Sequence, residues 1–317
     1  MSVDGAARRG EFGVALITAL LIVSLATITM VAMATRQKMQ TRLTGSLMGR
    51  DQGWNLVMGG EAWARAVLLR TAGDNAWDSL DEPWAARMAP MDVDGATVWG
   101  WSEDVQSRFN LNGLIVNGRQ DATAMAIFER LLDRLDLDPL LATAVADWID
   151  ADSERGGAMG AENDSYSRLP ASYGAANQSM QSATELMLVQ GFDDKIWEKL
   201  KPFVVALPGR TAINVNTAPA VVLSALAGNI GLSDAEQVVK SRFMEPFRTI
   251  DAFRNHPNLV QAKGELQGLS DLHIDVRSAF FLVNAQAEVG QGKMILQSLL
   301  RRTPSAVVVL RRTLGMP

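Results

Sequence analysis

The densest group of chemically active side chains lies between residues 147 and 166, in the run DWIDADSERGGAMGAENDSY. Six side chains in this run carry oxygen atoms that could bind a cation, and they are Asp147, Asp150, Asp152, Glu162, Asn163 and Asp164. No His or Cys lies among them, and oxygen ligands on a flexible loop suit Ca²⁺, which takes about 6–8 oxygens. The residues indicate a calcium site, and a solvated acidic loop is the alternative that they equally allow.

The spacing within the acidic run suggests how it folds. Asp150 and Asp152 are two residues apart, which puts both carboxylates on one side of an extended turn. Three glycines then let the chain fold back towards Glu162 and Asp164. They are Gly156, Gly157 and Gly160. We expect these four carboxylates to bind one or two structural Ca²⁺ ions, with Asn163 or backbone carbonyls completing the shell.

Other chemistry has less support. Asp147 precedes the loop, in a predicted helix over 140–149, so it is a less central ligand. Paired carboxylates also occur in glycosidases, but neither an aromatic sugar platform nor a substrate motif accompanies these. The chain has no Cys, and its two histidines, His256 and His273, lie in no recognised motif. No nucleophile, base and oxyanion set can be assigned, so we expect neither an enzyme nor a small-molecule substrate.

The acidic run is tethered to an apolar N-terminal segment, residues 14–34, which has 21 residues and no charge. A helix of that length spans a hydrocarbon core of about 30 Å. Four interpretations of this segment compete, and three of them are a secretory signal peptide cleaved after Ala34, a plain signal anchor and a buried core helix. The fourth is a type IV pilin-like N-terminus, in which Gly13 ends a basic leader and Val14 becomes the first mature residue. Basic residues flank both ends, so charge does not decide topology.

Hydrophobic periodicity gives the order of the remaining elements. The helix continues beyond the apolar segment, where Met39, Leu43 and Leu47 recur every four residues. Residues 71–95 are predicted to form a loop, short strands are predicted at 96–101 and 107–111, helices dominate 119–275, and alternating strands return after about 275. Within the helical block, Ser182 with Glu185 and Ser233 with Glu236 predict two capping boxes, and a helix is predicted over 192–205. The fold class is therefore α+β. We assign residues 1–13 to a leader, 14–34 to a transmembrane helix, 35–118 to a helix and first strands, 119–275 to a helical insertion, and 276–317 to the last strands.

One helical segment, INVNTAPAVVLSAL at 213–226, resembles helix-hairpin-helix modules that bind DNA phosphates. Phosphate binding needs a cationic surface. Residues 119–275 contain 14 Lys and Arg against 22 Asp and Glu, a net charge of −8. A single-pass protein that binds nucleic acid remains the alternative function, and the charge favours a protein-interaction scaffold.

An ordered set of motifs extends along nearly the whole chain. The motifs are RRGEFGVALITALLIV at 8–23, GGEAWARAVL at 59–68, SRFNLNGL at 107–114, DWIDAD at 147–152, GAENDSY at 160–166, ATELMLVQGF at 183–192 and INVNTAPAVVLSAL at 213–226. Taken in this order, they resemble the general secretion pathway protein K family, the minor pseudopilins of that name in the type II secretion system.

This resemblance implies a pilin-like fold, in which a long N-terminal helix packs on an antiparallel sheet, with a large all-α insertion of SAM-like helical modules. It implies cleavage by prepilin peptidase between Gly13 and Val14, methylation of the new N-terminus, and a single-pass inner-membrane protein with a periplasmic domain. It also implies a calcium site in the acidic run, where the family usually has Asp in place of Asn163.

The implied function is protein export from the tip of a pseudopilus, in complex with minor pseudopilins of the I and J type. Most pilins carry Glu at the fifth mature position, where this chain has Thr18. Because Thr18 cannot supply that charge, we expect this subunit to initiate assembly rather than join a growing filament.

Overall fold

The computed structural model describes residues 7–74, 76–157, 159–168 and 171–315. Its longest element is helix α1 (Ala7–Asp74), whose 68 residues run without interruption through the glycines between 45 and 60. Within the described residues, one helical segment, Val14–Ala72, is long and apolar enough to cross a membrane. The most apolar part of that segment has a mean hydropathy of 2.5 and buries none of its residues within the chain.

The second half of α1 packs on a sheet. Its inward face includes Val57, Ala64 and Leu68, which are buried. Gly60 lies so close to the sheet that an added Cβ would stand 3.3 Å from the Cβ of Ala285. The stripe that begins at Met39, Leu43 and Leu47 continues through Trp54, and all of these side chains are exposed. The periodic stripe seen in the sequence therefore lies on the outward face of α1.

The main sheet has five antiparallel strands in the order β1–β2–β9–β10–β11, and three further pairs have two strands each. The strands are β1 (Met88–Val93), β2 (Ala96–Asp104), β3 (Phe109–Asn110), β4 (Ile115–Val116), β5 (Arg119–Gln120), β6 (Val204–Val205), β7 (Ile213–Asn214), β8 (Ile274–Asp275), β9 (Phe280–Val289), β10 (Gly292–Arg302) and β11 (Val307–Gly315). Strand β2 pairs with β9, and Asp104 lies opposite Phe281. Strands before and after the helical block thus form one sheet, as the sequence predicts.

Two strand predictions need correction. Residues 71–95, expected to be a loop, contain β1, which joins β2 through Asp94 and Gly95 at positive φ of 50° and 77°. That is the turn geometry that two-residue hairpins favour. The strand expected at 107–111 is only the two-residue β3, which pairs with β6 outside the main sheet.

The helical domain occupies the end of the sheet at which α1 finishes, far from the apolar segment. Its helices are α2 (Ala122–Arg134), α3 (Leu141–Ile149), α4 (Asn163–Tyr166), α5 (Asp194–Leu200), α6 (Ala220–Ala225), α7 (Leu232–Met244), α8 (Ile250–Arg254) and α9 (Lys263–Gly268). They share one apolar core that already includes Phe109, Leu111 and Leu114. The domain therefore begins before the expected boundary at Arg119, because these three side chains pack with the helices.

The capping residues at the N-termini of the helices agree only in part with those predicted from the sequence. Asp121 caps α2 by accepting bonds from the amides of Thr123 and Ala124. Ser182 and Glu185 form the expected capping box, although the helix that follows is a 3₁₀ turn, Ala183–Leu188. The box expected at Ser233 is wrong, because α7 begins one residue before it. The helix predicted over 192–205 is the shorter α5, followed by β6.

Candidate metal centre

The acidic loop is held at both ends by aromatic packing. It leaves α3 at Asp150 and enters α4 after Glu162. Trp148, in the last turn of α3, packs edge-on against Tyr166 with ring centroids 5.1 Å apart. Tyr173 stacks on Tyr166 at 5.4 Å, so the chain beyond α4 is tied to the same cluster. This packing brings the two acidic ends of the loop together.

Three carboxylates converge between these ends. Asp150, Asp152 and Glu162 each offer an oxygen atom, and these atoms lie within 4.8 Å of one another. Asp150 and Glu162 are buried, whereas Asp152 is exposed. Such a group of oxygen atoms matches the ligands that Ca²⁺ prefers.

Several of the acidic oxygens have no hydrogen-bond partner. Both carboxylate oxygens of Glu162, Oδ1 of Asp150 and Oδ1 of Asp147 are buried and unpaired. Buried polar atoms in folded proteins are almost always hydrogen-bonded, and an unpaired buried charge is costly. A cation or bound protons would remove that cost, so this arrangement fits an ion.

The electrostatics point the same way. Burial, followed by the charges of Asp152, Asp147 and Glu162, raises the pKa of Asp150 to about 7. Burial and the neighbouring carboxylates also raise the pKa values of Asp147 and Glu162. A divalent cation reverses this effect, because it favours the charged form of every carboxylate around it.

Asp147 faces the loop rather than away from it. Its side chain is fully buried, and Oδ2 accepts a hydrogen bond of 3.0 Å from the amide of Gly156. An added Cβ would lie 2.6 Å from Oδ1 at Gly156 and 2.5 Å from Oδ2 at Gly160. The glycines that were expected to let the chain fold back therefore do so directly over the Asp147 carboxylate.

Two of the six sequence-predicted ligands are engaged elsewhere. Both carboxylate oxygens of Asp164 lie 2.6 Å from a guanidinium nitrogen of Arg155, on the exposed side of the loop. Asn163 Oδ1 accepts a 2.8 Å bond from the amide of Ala175. The described residues thus bring together Asp150, Asp152 and Glu162 with Asp147 beside them, and leave Asn163 and Asp164 outside this group.

Asn177 was not anticipated from the sequence. Its Nδ2 donates to the carbonyl oxygen of Asp152 at 3.1 Å, and its Oδ1 is buried without a partner. An amide oxygen is a suitable Ca²⁺ ligand. Asn177 lies 25 residues beyond Asp152, and no spacing rule connects the two. Its left-handed backbone, with φ of 47°, is consistent with a turn that directs the side chain back to the loop.

The N-terminal predictions concern the leader, the cleavage point and Thr18. Residues 1–6 of the expected leader lie outside the described residues, and α1 runs through the predicted cleavage point between Gly13 and Val14. The Thr18 hydroxyl lies 3.0 Å from the carbonyl oxygens of Val14 and Ala15, so it can donate to the backbone of its own helix.

The turn that follows the segment 213–226 has two of its backbone amides paired with carboxylates of the chain itself. The amide of Gly228 donates to Glu265 Oε2 at 2.9 Å, and Asn229 Nδ2 lies 3.3 Å from Oε1 of the same residue. The amide of Gly231 donates to Asp234 at 3.3 Å.

Ser270, His273 and Asp121 also lie together. Nδ1 of His273 accepts from the Ser270 amide at 3.2 Å and lies 3.0 Å from Ser270 Oγ, and Nε2 lies 3.3 Å from Asp121 Oδ1. Arg210 contacts the same Nε2 at 2.5 Å and forms an ion pair of 2.9 Å with Asp121. These contacts tie the start of α2 to the segment before β8.

The fold and the loop together define a class of protein: an α+β chain with a long N-terminal helix on an antiparallel sheet and a helical insertion that contains an acidic loop. A solved structure of this architecture is similar to the chain, with a TM-score of 0.77 and 26% identity over 86% of this chain and 99% of that chain. It is described as the GspK–GspI–GspJ complex from the enterotoxigenic Escherichia coli type II secretion system.

The chain belongs to the type II secretion system protein K family. Two family models described as type II secretion system protein K match residues 107–209 and 213–275. A protein K of Pseudomonas aeruginosa is 34% identical, over 97% of this chain and 94% of the relative. A second relative, from Aeromonas hydrophila, is 31% identical over 97% of this chain and 98% of the relative.

Proposed function

We propose that this chain is the minor pseudopilin at the tip of a type II secretion pseudopilus, where it initiates assembly with two other minor pseudopilins and supports export across the outer membrane. The observation that carries the proposal is the likeness of 86% of the chain to a protein solved in complex with two such partners. The position of the helical domain adds support. It caps the end of the sheet far from the apolar segment, so a further subunit would have no room above it.

A groove beside α1 offers a place for a partner helix. It has a volume of about 650 Å³ and lies between α1 and the β9–β10 hairpin. Gly45, Gly49 and Gly53 line one wall, and Val289 and Met294 line the other. An added Cβ at Gly49 would lie 3.6 Å from Val289, whereas Gly45 has nothing within 4 Å. Close approach of a partner is therefore expected at Gly45, since Gly49 already faces the chain's own sheet.

The exposed stripe lies on the opposite face of α1 from these glycines, so a bundle of three helices would place one partner in the groove and the other on the stripe. Crosslinking tests the contact at the stripe. The chain has no native Cys, so single cysteines at Met39, Leu43 and Leu47 report only contacts of the exposed stripe. Co-expressed with I- and J-type minor pseudopilins that carry cysteines in their N-terminal helices, these variants should form disulfide-linked heterodimers. A cysteine at Lys240, on the outer face of α7, serves as the control and should not crosslink. A protein that remains uncrosslinked at all three stripe positions would contradict the proposal.

Processing follows from the same proposal. Prepilin peptidase is expected to remove residues 1–13 on the cytoplasmic side and leave an N-methylated Val14 in a single-pass inner-membrane protein with a periplasmic domain. The uncharged Thr18 fits a subunit that starts a filament. Mass spectrometry of the membrane-extracted chain measures the mature N-terminus. A chain that starts at Thr35 would indicate ordinary signal-peptide cleavage and remove the anchor.

The acidic loop is proposed to bind one or two structural Ca²⁺ ions. Asp147, Asp150, Asp152 and Glu162 would hold the ion, and Asn177 is added as a neutral ligand. The unpaired buried oxygens support this assignment, because ionised carboxylates held this close repel one another unless a cation neutralises them. The ion would clamp a segment that lacks a core of its own. No catalytic, nucleic-acid-binding or small-molecule role is proposed, and the likeness of the helical modules to SAM-like folds remains a prediction.

A further inference from the structure

The chain passes between the main sheet and the helical domain twice, at neighbouring points. It leaves the sheet after Asp104 at the end of β2 and returns through β8 to Phe280 at the start of β9. Two neighbouring connections between domains act as a hinge unless other contacts hold the two domains together. Domains joined in this way are expected to move relative to each other when their interface is not large and hydrophobic.

A buried polar cluster crosses this hinge. Asp104 Oδ2 accepts hydrogen bonds from Thr217 Oγ1 at 2.5 Å, Ser278 Oγ at 2.6 Å and Asn214 Nδ2 at 3.1 Å. Asp104 Oδ1 accepts a fourth bond, of 2.8 Å, from the amide of Gln106. Thr217 and Asn214 belong to the helical domain, whereas Asp104 ends a strand of the sheet. All of these side chains are buried.

Two further parts of the sheet domain join the cluster. Asp78, in the segment after α1, forms a buried ion pair with Arg302 at the end of β10. Arg302 also donates to the carbonyl oxygen of Ser278 at 2.8 Å, and Asp78 Oδ2 accepts from the Ser278 amide at 2.8 Å. Asn214 Nδ2 reaches the carbonyl oxygen of Asp78 at 3.2 Å. The segment after α1 and the end of β10 are therefore tied to the same asparagine.

Residues 213–217, the INVNT segment, have a local geometry that directs the Asn214 side chain towards the sheet domain. Asn214 Oδ1 accepts from the amide of Asn216 at 2.9 Å, which directs Nδ2 of Asn214 across the hinge. Asn216 itself bonds only within the helical domain, to the amide and carbonyl of Phe247 at 2.8 Å each. The two asparagines are alike in type and burial but differ in which domain they contact.

We propose that the INVNT segment is a locking joint, in which Asn214 and Thr217 fix the orientation of the helical domain relative to α1 by holding the buried Asp104 carboxylate. A rotation of the helical domain would withdraw two of the four donors from this carboxylate. Buried carboxylates must keep their donors, so the joint resists rotation. This joint then holds the orientation of the helical domain together with the apolar cluster of Val105, Leu207, Phe280 and Leu299, and independently of any ion in the acidic loop.

Distance measurements between spin labels test the joint. In the full-length chain in detergent micelles, Ala66→Cys on α1 and Lys240→Cys on α7 carry the labels across the hinge. The absence of native Cys keeps the labelling specific. Glu129→Cys paired with Lys240→Cys reports the helical domain alone. We expect Asn214→Ala and, separately, Thr217→Val to broaden the distance distribution across the hinge while the pair within the domain is unchanged.

Asn216→Ala is the matched control. It should lower the melting temperature without broadening the distribution across the hinge, and a chelator should leave that distribution unchanged in the unsubstituted chain. A distribution in both Asn214→Ala and Thr217→Val as narrow as that of the unsubstituted chain would overturn the joint. Equal broadening in Asn216→Ala would also overturn it. Loss of the narrow distance distribution between the labels at Glu129→Cys and Lys240→Cys in both joint variants would overturn it as well, because the proposal requires the domain to stay folded when the joint opens.

Discussion

Two regions of this protein bury carboxylates, and they differ in whether the carboxylate oxygens have partners. At the hinge, Asp104 accepts four hydrogen bonds and Asp78 pairs with Arg302. In the acidic loop, Asp150 and Glu162 leave three buried oxygens without any partner. Both regions bury carboxylates, and burial raises pKa values in both, to about 6 for Asp104 and about 7 for Asp150. The difference lies in the donors: the hinge supplies its own, whereas the loop has a deficit that a cation would fill.

Unpaired oxygens therefore distinguish the two regions better than the number of acidic residues does. A perturbed pKa alone does not distinguish the two regions. The same criterion sorts the loop internally, since Asp164 has a guanidinium partner and Glu162 has none.

The largest loss of stability is expected when the ion pair at the hinge is removed. Asp78→Ala leaves Arg302 buried without a carboxylate, which costs about 3–5 kcal/mol of the free energy of unfolding. Denaturant titration measures this loss, and it should be the same with Ca²⁺ and with a chelator. Asp92→Ala, at an exposed position of β1, is the control and should change little. A loss similar to that of the control would mean that the hinge tolerates unpaired charge.

Removal of calcium should have the next largest effect. An ion that binds only the folded form stabilises it by about 2.7 kcal/mol at about 100 times Kd. A chelator should lower the melting temperature and expose the loop to protease, and Mg²⁺ should restore little because it requires tight octahedral geometry. Asp150→Asn should abolish the response to the chelator. If the chain melts at the same temperature with chelator and with millimolar Ca²⁺, and Asp152→Ala does not change that temperature, the loop is only a solvated acidic surface.

The pH dependence sharpens the comparison further. The raised pKa values of Asp147, Asp150 and Glu162 mean that the ion-free folded loop binds more protons than the unfolded chain. The contribution of Asp150 to stability is fully present below its unfolded pKa, near 4, and is lost as the pH rises through about 7. Asp147 and Glu162 act in the same direction. The gap in melting temperature between Ca²⁺ and chelator should therefore widen from pH 5 to pH 8. A gap that is constant over this range would contradict the assignment.

The smallest effect is expected at Asp164. Its carboxylate pairs with Arg155 on the exposed side of the loop, away from the three converging oxygens. Asp164→Asn should leave the calcium affinity measured by calorimetry nearly unchanged, whereas Glu162→Gln should weaken it strongly. Equal weakening by the two substitutions would indicate that the loop rearranges around the ion to recruit Asp164.

Elements with a regular period could be predicted from the sequence. The uninterrupted apolar run predicts the first half of α1, and strict alternation at 281–289 predicts β9. Strand β1 was missed because MAPMDV has no alternation and contains Pro90, which is tolerated at a sheet edge. The early start of the helical domain was missed because Phe109 and Leu111 reveal their packing partners only in three dimensions.

The acidic loop was anticipated in composition but not in detail. Oxygen ligands and glycines are visible as residue types, and Asp150, Asp152 and Glu162 do converge. Asp164 lies outside the converging group, because Arg155, nine residues earlier, pairs with it. Asn177 was missed because its contact with Asp152 depends on the path of the intervening loop. Metal binding itself remains a prediction.

The pairing of β2 with β9 also constrains the order in which the chain can fold. Asp104 and Phe281 are neighbours in the sheet but lie 177 residues apart in the sequence. At about 5–20 residues per second, synthesis of the intervening segment takes roughly 9–35 s. During that time the hairpin of β1 and β2 has no neighbour for its inner edge, whereas the helical domain can collapse on its own local contacts. The helical domain is thus expected to fold first, and closure of the sheet to be the last and slowest step.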